Sequence, residues 1–408
     1  MKLYKREKYL GRVRPFYEAE DIIKVVTGVR RCGKSSIMQM IYDELIEKGI
    51  PEKNLIYIDL DKRGFRNIKT DDQLENLIDS KVPKKGKVYL FIDEIQNVSN
   101  FEPLINGYRN EGRFSIFITG SNSYLLSGEL VTKLTGRYIE FEIYTLTFDE
   151  YEGMKDFYHK EINPNPIMEL TNYILEGGFP RTVLFDDLQT KREYTRNVVN
   201  EIFNKDIKKR NKIKNKANFE IVRNYVINNY SAYTSVKAIY EALKKNGVSI
   251  SRGTVANYIQ ILLDAKILYH CDRFDMKSKK SLQGDRKYYL ADLSFFFSQN
   301  VDNRLNYGPS LENIAYLYFV SNNYSTSIGR IGKYECDFIL RDKNINYSYV
   351  QVSYSIADPD TEEREYRSLE NIRDYYPKYL LTTDYLLQNR NGIHHLNIIE
   401  FMKNHQLF

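Results

Sequence analysis

The chain has 408 residues, of which 42% are hydrophobic and 28% charged, with a net charge of +6. That length holds two or three domains with their own cores, and that balance is the composition of a soluble globular protein. So modest a charge excludes a polycation, and any nucleic-acid contact has to come from a local basic patch. No run is long enough to span a membrane and the first residues lack a signal-peptide core, which makes the cytoplasm the default location. Cys32, Cys271 and Cys336 are far apart and odd in number, so neither a disulfide framework nor a zinc site is indicated.

In chain order, residues 1–20 bring Arg12, Arg14, Phe16 and Tyr17 ahead of the first strand and are expected to pack beside the site. The apolar run Ile22, Ile23, Val25, Val26 predicts a strand, and Ile37, Met38, Ile41 and Leu45 predict a helix after it. Between them stands Gly28-Val29-Arg30-Arg31-Cys32-Gly33-Lys34-Ser35-Ser36, the pattern G-x-x-x-x-G-K-S. A loop of this kind aims successive N–H groups at phosphate oxygens, its glycines adopting backbone angles that side chains forbid. Lys34 is placed to reach the β- and γ-phosphates, and Ser35 to ligate Mg2+. A plain glycine turn beside a lysine is the alternative.

Residues 54–60 predict a buried parallel strand, and 88–92 another that ends in Asp93-Glu94. Acids at the carboxyl end of a buried strand stand where ligands of open α/β sheets bind. Asp93 would hold Mg2+ through water, and Glu94 would act as general base on an attacking water. Capping of the next helix is the plainer use of such a pair. Residues 114–118 predict a further strand leading to Thr119, Ser121 and Asn122, any of which can contact the γ-phosphate or the water, with Asn122 taken as the catalytic candidate; ordinary strand-end turn chemistry is the alternative. Gly136-Arg137 precedes the alternating strand 138–143 and can present Arg137 to phosphates, in cis or from a neighbouring subunit. Strands alternating with helices to residue 145 predict a parallel sheet with helices on both faces. From Leu146 to about residue 204 the apolar period is helical, broken at Gly177-Gly178-Phe179-Pro180. This segment is expected to form a helical lid, with Arg181 as a candidate second phosphate sensor.

Five motifs in this order resemble the prokaryotic AAA-type P-loop ATPases that carry an extra C-terminal domain of unknown function. They are the loop 28–35, Phe91-Ile92-Asp93-Glu94-Ile95-Gln96, Thr119-Gly120-Ser121-Asn122, Leu134-Thr135-Gly136-Arg137 and Leu175-Glu176-Gly177-Gly178-Phe179-Pro180-Arg181. The resemblance covers nearly the whole chain. It implies an ATPase core using ATP and Mg2+, a winged-helix region and a C-terminal part similar to the PD-(D/E)XK nuclease fold. It supports Lys34, Ser35, Asp93 and Glu94 as site residues, with Arg137 and Arg181 as further candidates. Thr145-Leu146-Thr147-Phe148 departs from the Pro-Leu-Ser-Phe expected in that family.

Beyond the basic run 204–216, either a phosphate-backbone contact or a solvated linker, residues 217–300 read as a winged helix-turn-helix. Its candidate recognition helix, 251–263, opens with Ser251, Arg252, Thr254 and Asn257, residues able to touch phosphates or base edges. Lys277, Lys279, Lys280, Gln283 and Arg286 give a basic wing, suited to double-stranded DNA or to a protein partner. In the nuclease-like part Glu312 and Asp337 fit two acid positions, whereas Gln351 and Ser353 occupy those of the third acid and the lysine. A neutral amide and a hydroxyl there weaken metal binding and leave no cation near a nucleophile, so this shell is expected not to cut.

The expected architecture is an α/β P-loop ATPase core at 1–145, a helical lid at 146–210, a winged helix-turn-helix at 211–305 and a nuclease-like α/β domain at 306–408. The expected function is an ATP-hydrolysing, AAA-like molecular switch coupled to DNA or a protein partner, with assembly into an oligomer left open. A metal-dependent DNA nuclease, a P-loop kinase and a non-hydrolysing ATP-binding module are the alternatives.

Overall fold

The computed structural model describes residues 2–120, 134, 136–207, 213, 215–278, 280–299 and 305–404. The chain divides into two compact units, Met1–Tyr144 and Thr145–Phe408.

In the first unit, helix α1 (Glu7–Val13) precedes strand β1 (Ile23–Thr27), and helix α2 (Lys34–Glu47) follows the loop that leaves β1. Then come β2 (Leu55–Asp59), α3 (Asp71–Asp79), β3 (Val88–Asp93), α4 (Phe101–Asn110), β4 (Phe114–Thr119) and β5 (Tyr138–Glu142). The five strands form one sheet in the order β2-β3-β4-β1-β5, every neighbour parallel. β1, β3 and β4 are buried at every position, which is why they read as mainly apolar runs rather than alternating ones. The chain leaves β1 toward one side of the sheet and returns with β5 on the other. The carboxyl end of β1 is therefore a switch point, the place where such sheets bind ligands.

Lys24 breaks the apolar run of β1 without leaving the core. Its ammonium donates to Ala19 O at 2.6 Å and Ser115 Oγ at 2.9 Å and lies 4.6 Å from the Phe117 ring centre. Burial pulls its pKa from 10.5 down to about 7. Between those values the unfolded chain binds the proton that the folded chain does not, so this residue makes stability rise with pH across that window. Lys24→Met is expected to flatten the rise by about 2–3 kcal/mol between pH 7 and 9, read from urea unfolding.

In the second unit, α5 (Phe148–Phe157), α6 (Pro166–Glu176) and α7 (Leu188–Glu201) supply the expected helical segment. Thr147 caps α5 in a reciprocal box with Glu150, a task serine and threonine share. Threonine is therefore compatible with the position where the family's serine was expected. Gly177 and Gly178 break the helical pattern for packing reasons. A Cβ on Gly177 (φ +78°) would collide with the Asp292 carboxylate, and one on Gly178 with the Leu146 carbonyl. Gly178 N–H donates to Asp292 Oδ2 at 2.8 Å.

Next follow α8 (Lys216–Asn228), β6 (Tyr233–Thr234), α9 (Val236–Lys245), α10 (Arg252–Asp264) and a long hairpin, β7 (Leu268–Asp275) with β8 (Lys280–Leu290). That is the element order of the winged helix-turn-helix reading. After α11 (Ser294–Gln299) come α12 (Tyr307–Ser321), β9 (Ser325–Ile331), β10 (Tyr334–Arg341), β11 (Tyr347–Val352), α13 (Pro359–Glu370), β12 (Lys378–Thr382), β13 (Ile393–Asn397) and α14 (Ile398–Lys403). β7 pairs in parallel with β9, so hairpin and C-terminal strands share one eight-stranded sheet, β13-β12-β11-β10-β9-β7-β8-β6. The expected division at 305/306 thus separates two stretches of chain that hydrogen-bond in a single sheet. Among the described residues, no helix is long and apolar enough to cross a membrane.

Candidate active site

The site begins where β1 ends. Gly28 (φ +136°) and Gly33 (φ +107°) take left-handed angles, and Arg31 (φ +69°) does so between them, so the chain closes tightly and enters α2 at Lys34. Val29 and Cys32 are buried beneath the loop, Arg30 is half-buried and Arg31 exposed. Arg6, from the turn before α1, donates through Nη1 to Cys32 O at 3.1 Å and Tyr144 O at 3.0 Å, tying the loop's underside to the unit's amino end. A Cβ on Gly28 would collide with the Ile143 carbonyl and crowd Cys32 Sγ. Gly28→Ala is expected to cost about 2–4 kcal/mol, from a left-handed angle and a backbone clash together. A lowered melting temperature is the readout, and an unchanged one would contradict this loop geometry.

Lys34 is buried, and its Nζ donates to Gly28 O at 2.9 Å and Val29 O at 3.3 Å. Ser35 and Ser36 follow in the first turn of α2, the end whose free N–H groups favour anions. Because β3 and β1 both flank β4, the carboxyl end of β3 faces this turn, near enough for the Ser35 hydroxyl to pull the Asp93 pKa down. Thr119, from the end of β4, donates to Asp93 Oδ1 and accepts the Glu94 N–H at 3.1 Å. Tyr57 OH stands 3.5 Å from Asp93 Oδ2. Burial pushes the Asp93 carboxyl up, while its hydrogen bonds from Thr119 and Ser35 pull it down. Glu94 sits in the left-handed region (φ 59°, ψ 46°), which turns it out of the strand, and Gln96 Nε2 donates to its carboxylate. The structure therefore brings Lys34, Ser35, Asp93 and Glu94 to one end of the sheet.

Arg137 stands elsewhere within the same unit. β5 runs parallel to β1 with Tyr138 beside Ile23 and Glu142 beside Thr27, which puts Arg137 at the amino end of the strands. The loop follows their carboxyl end, about 16 Å away at about 3.3 Å per strand residue. An in-cis role for Arg137 is thereby corrected. Asn122 lies outside the described residues, as do Ser121 and Thr135. Arg181, in the second unit, is exposed with its guanidinium 5.7 Å from the Phe185 ring centre. Among the amino-terminal residues, Arg14 and Tyr17 anchor on Glu44 of α2 (2.6 and 2.9 Å), and Phe16 packs edge-on against Phe141. Three supporting residues had no role assigned from sequence. Gln96 closes the 91–96 motif but carries no sign there of holding Glu94, Tyr57 is the middle residue of the apolar run of β2, and Arg6 gave no spacing signal.

The nuclease-like positions are arranged around a cation. Lys287 Nζ, on β8, lies 2.8 Å from Glu312, 2.8 Å from Glu335 and 3.5 Å from Asp337. Tyr289 OH also donates to Glu312, at 2.6 Å. The three carboxylates outweigh burial and hold Lys287 protonated, whereas burial pushes Glu312 up to about 7 against the pull of Lys287. Gln351 donates to Glu365 at 2.8 Å and accepts the Asp337 N–H at 3.2 Å, and Ser353 Oγ points to Ser355 O at 3.4 Å. In the β7–β8 hairpin, Arg286 is paired with Asp272 at 3.3 Å and Lys277 is exposed. Lys279 and the side chains of Lys280 and Gln283 lie outside the described residues.

A parallel sheet of this order, a glycine-bracketed lysine at its switch point and a strand-end acid facing the first turn of the following helix define a P-loop α/β protein. Residues 20–152 match the family model described as an AAA domain, and residues 167–303 match a domain of unknown function, DUF8612. An uncharacterized protein of Haemophilus influenzae is 31% identical over 97% of this chain and 98% of its own. Another, of Methanocaldococcus jannaschii, is 32% identical over 91% of this chain and 83% of its own. Among solved structures, the Walker-type ATPase of Pyrococcus abyssi is 16% identical, with a TM-score of 0.51 over 72% of this chain and 95% of that one; this likeness shows the fold alone. The chain belongs to the same family as the two full-length relatives, a family of AAA-type P-loop ATPases.

Proposed function

We propose that this chain hydrolyses ATP and that nucleotide state is passed to its second unit as a switch. The observation that carries the reading is the convergence of Ser35 and Asp93 at the mouth of the phosphate loop, where Tyr57 OH stands 3.5 Å from both Ser35 O and Asp93 Oδ2. A hydroxyl and a carboxylate held together there are the donor set for Mg2+, which when bound supplies positive charge to the β- and γ-phosphate oxygens. Lys34 exchanges the loop carbonyls for phosphate oxygens and neutralises charge that develops during in-line attack. Glu94 accepts the proton of the attacking water. Gln96 and Thr119 position the two acids, one through the Glu94 carboxylate and the other through Asp93. Arg137, if it contributes, does so in trans to a neighbouring subunit, and Arg181 remains the second candidate sensor.

The switch acts through the winged helix on duplex DNA. Supporting this reading, α10 starts on the exposed residues Ser251, Arg252 and Gly253, with Asn257 exposed one turn on. Ser251 caps the helix by accepting the Thr254 N–H at 3.1 Å, leaving further N–H groups of that first turn toward solvent. Metal-dependent DNA cleavage by the C-terminal part is the weaker alternative, because the Lys287 ammonium already sits among the carboxylates that a metal ion would need.

The test is phosphate release by the full chain and by Lys34→Ala, with and without duplex DNA. Lys34→Ala is expected to lower release by about 100-fold or more. Duplex DNA is expected to stimulate the native chain, with stimulation fading as salt rises. Release insensitive to DNA would transfer the role of effector to a protein. Tight ATP binding without release would make the chain a non-hydrolysing module, and release only with an added acceptor would make it a kinase.

A further inference from the structure

A cavity of about 970 Å3 opens on the sheet of the second unit, where the turn after β7, the turn between β9 and β10, and the segment after α13 converge. Its apolar floor includes Phe274, Tyr347, Tyr349 and Tyr376. Neither the acid cluster (Glu312, Glu335, Asp337) nor any residue of α10 lines it. The Tyr347 and Tyr376 rings stand 5.3 Å apart at 57°, and Tyr376 is 45% exposed. Lys277, Lys333 and Arg373 also line the cavity, all three exposed. None of the three has a carboxylate partner among the described residues. The acid in this lining, Asp374, accepts the Tyr349 hydroxyl and the Tyr376 N–H at 3.2 Å, so it holds the two tyrosines in place.

Lys277, Lys333 and Arg373 thus line the same cavity without such partners, whereas Arg364, Arg367 and Arg390, on α13 and before β13, are paired with Glu365, Glu363 and Glu370. Convergent, uncompensated cations around an aromatic floor are complementary to a ligand that is flat and apolar on one part and anionic on another. A nucleobase lies flat on tyrosine faces, and its phosphate meets amines and a guanidinium. The volume is within the range of small-molecule sites, so it holds one nucleotide, and the open mouth leaves room for a strand to continue.

We propose that this cavity is a binding site for a phosphorylated nucleobase. Tyr347 and Tyr376 stack the base, and Lys277, Lys333 and Arg373 take the phosphate. That chemistry is shared by a free nucleotide and by the phosphorylated end of an unpaired nucleic-acid strand. Lys277 belongs to the hairpin turn that the winged-helix reading calls the wing. The cavity itself stands whether or not that reading does.

The test uses the full chain carrying Lys34→Ala, so that the phosphate loop does not compete for the probe, with the native chain titrated beside it. Three probes are titrated: 5-iododeoxyuridine monophosphate, a four-nucleotide single strand carrying 5-iododeoxyuridine and a 5′-phosphate, and the same strand without that phosphate. Photo-crosslinking is expected to map to Tyr347, Tyr349 or Tyr376 by peptide mass spectrometry. The double substitution Lys333→Ala/Arg373→Ala, on exposed side chains that leave the core intact, is expected to weaken binding about tenfold or more. Tyr376→Phe is expected to keep binding, and Tyr376→Ala to lose most of it. Binding of the monophosphate identifies a free nucleotide as the source, and binding of the phosphorylated strand alone identifies a strand end. Crosslinks confined to other residues, binding unchanged in the double variant, or preference for a phosphopeptide over all three probes would overturn the proposal. Lys34→Ala is expected to retain these crosslinks, which separates failure here from failure of the ATPase reading.

Discussion

Replacing Glu94 by glutamine is expected to lower ATP turnover by about 10²–10³ while ATP binding persists, because general-base assistance is lost and little else changes. Glutamine is isosteric with glutamate, and the left-handed backbone at this position tolerates it as well as it does glutamate. Gln96 offers the replaced side chain a neutral partner where it formerly met a carboxylate, so the local turn is retained. The measurement is single-turnover phosphate release beside equilibrium binding of labelled ATP. Turnover equal to that of the native chain would remove Glu94 from the mechanism, whereas loss of binding would mean that it helps hold the nucleotide. Lys34→Ala is expected to differ by losing affinity as well as rate, since Lys34 meets the phosphates before and during the reaction.

Lys287→Met is expected to destabilise the second unit by about 3–5 kcal/mol, the usual cost of stranding buried charge. Lys287 is 5% exposed, and its removal leaves Glu312, Glu335 and Asp337 facing one another without a cation. Glu312 is already pushed up to about 7 by burial, so it takes up a proton first. The sign follows. Without Lys287 the folded state binds more protons than the unfolded chain at neutral pH, and stability falls as pH rises from about 4.5 through 7 and above. The variant is therefore expected to recover much of its stability at pH 5, and Lys287→Met/Glu312→Gln is expected to recover part of it at pH 7. Urea unfolding at the two pH values checks this. A loss that is the same at both would show that Lys287 acts by packing rather than by charge.

How much could be read in advance follows from the range over which each constraint acts. The phosphate loop was legible because its requirements are local: Gly28 and Gly33 supply angles that other residues resist, and the apolar runs on either side declare strand and helix by period alone. Asp93 and Glu94 were legible because they close an apolar run. Arg137 was read on the wrong end of the sheet for an in-cis role. A glycine-arginine step looks the same before a strand whether that strand's start or its finish meets the ligand, and only the parallel register of β5 with β1 decides. The wing posed a similar difficulty. An alternating hairpin shows that it has one face to bury and two edges to pair, but not that β9 takes the edge of β7.

The amino-acid sequence by itself determined the P-loop class, Lys34, Ser35, Asp93 and Glu94 as its candidate site residues, and the alternation of strand and helix through residue 145. These rest on backbone angles and side-chain periodicity within a few residues. Tertiary structure alone decided that Thr119, Gln96 and Tyr57 surround the acids, that Lys287 stands among Glu312, Glu335 and Asp337, and that tyrosines and cations from separate turns line one cavity. Those groupings depend on strand partners far apart in the chain, and a strand's alternation records that it must pair without recording with what.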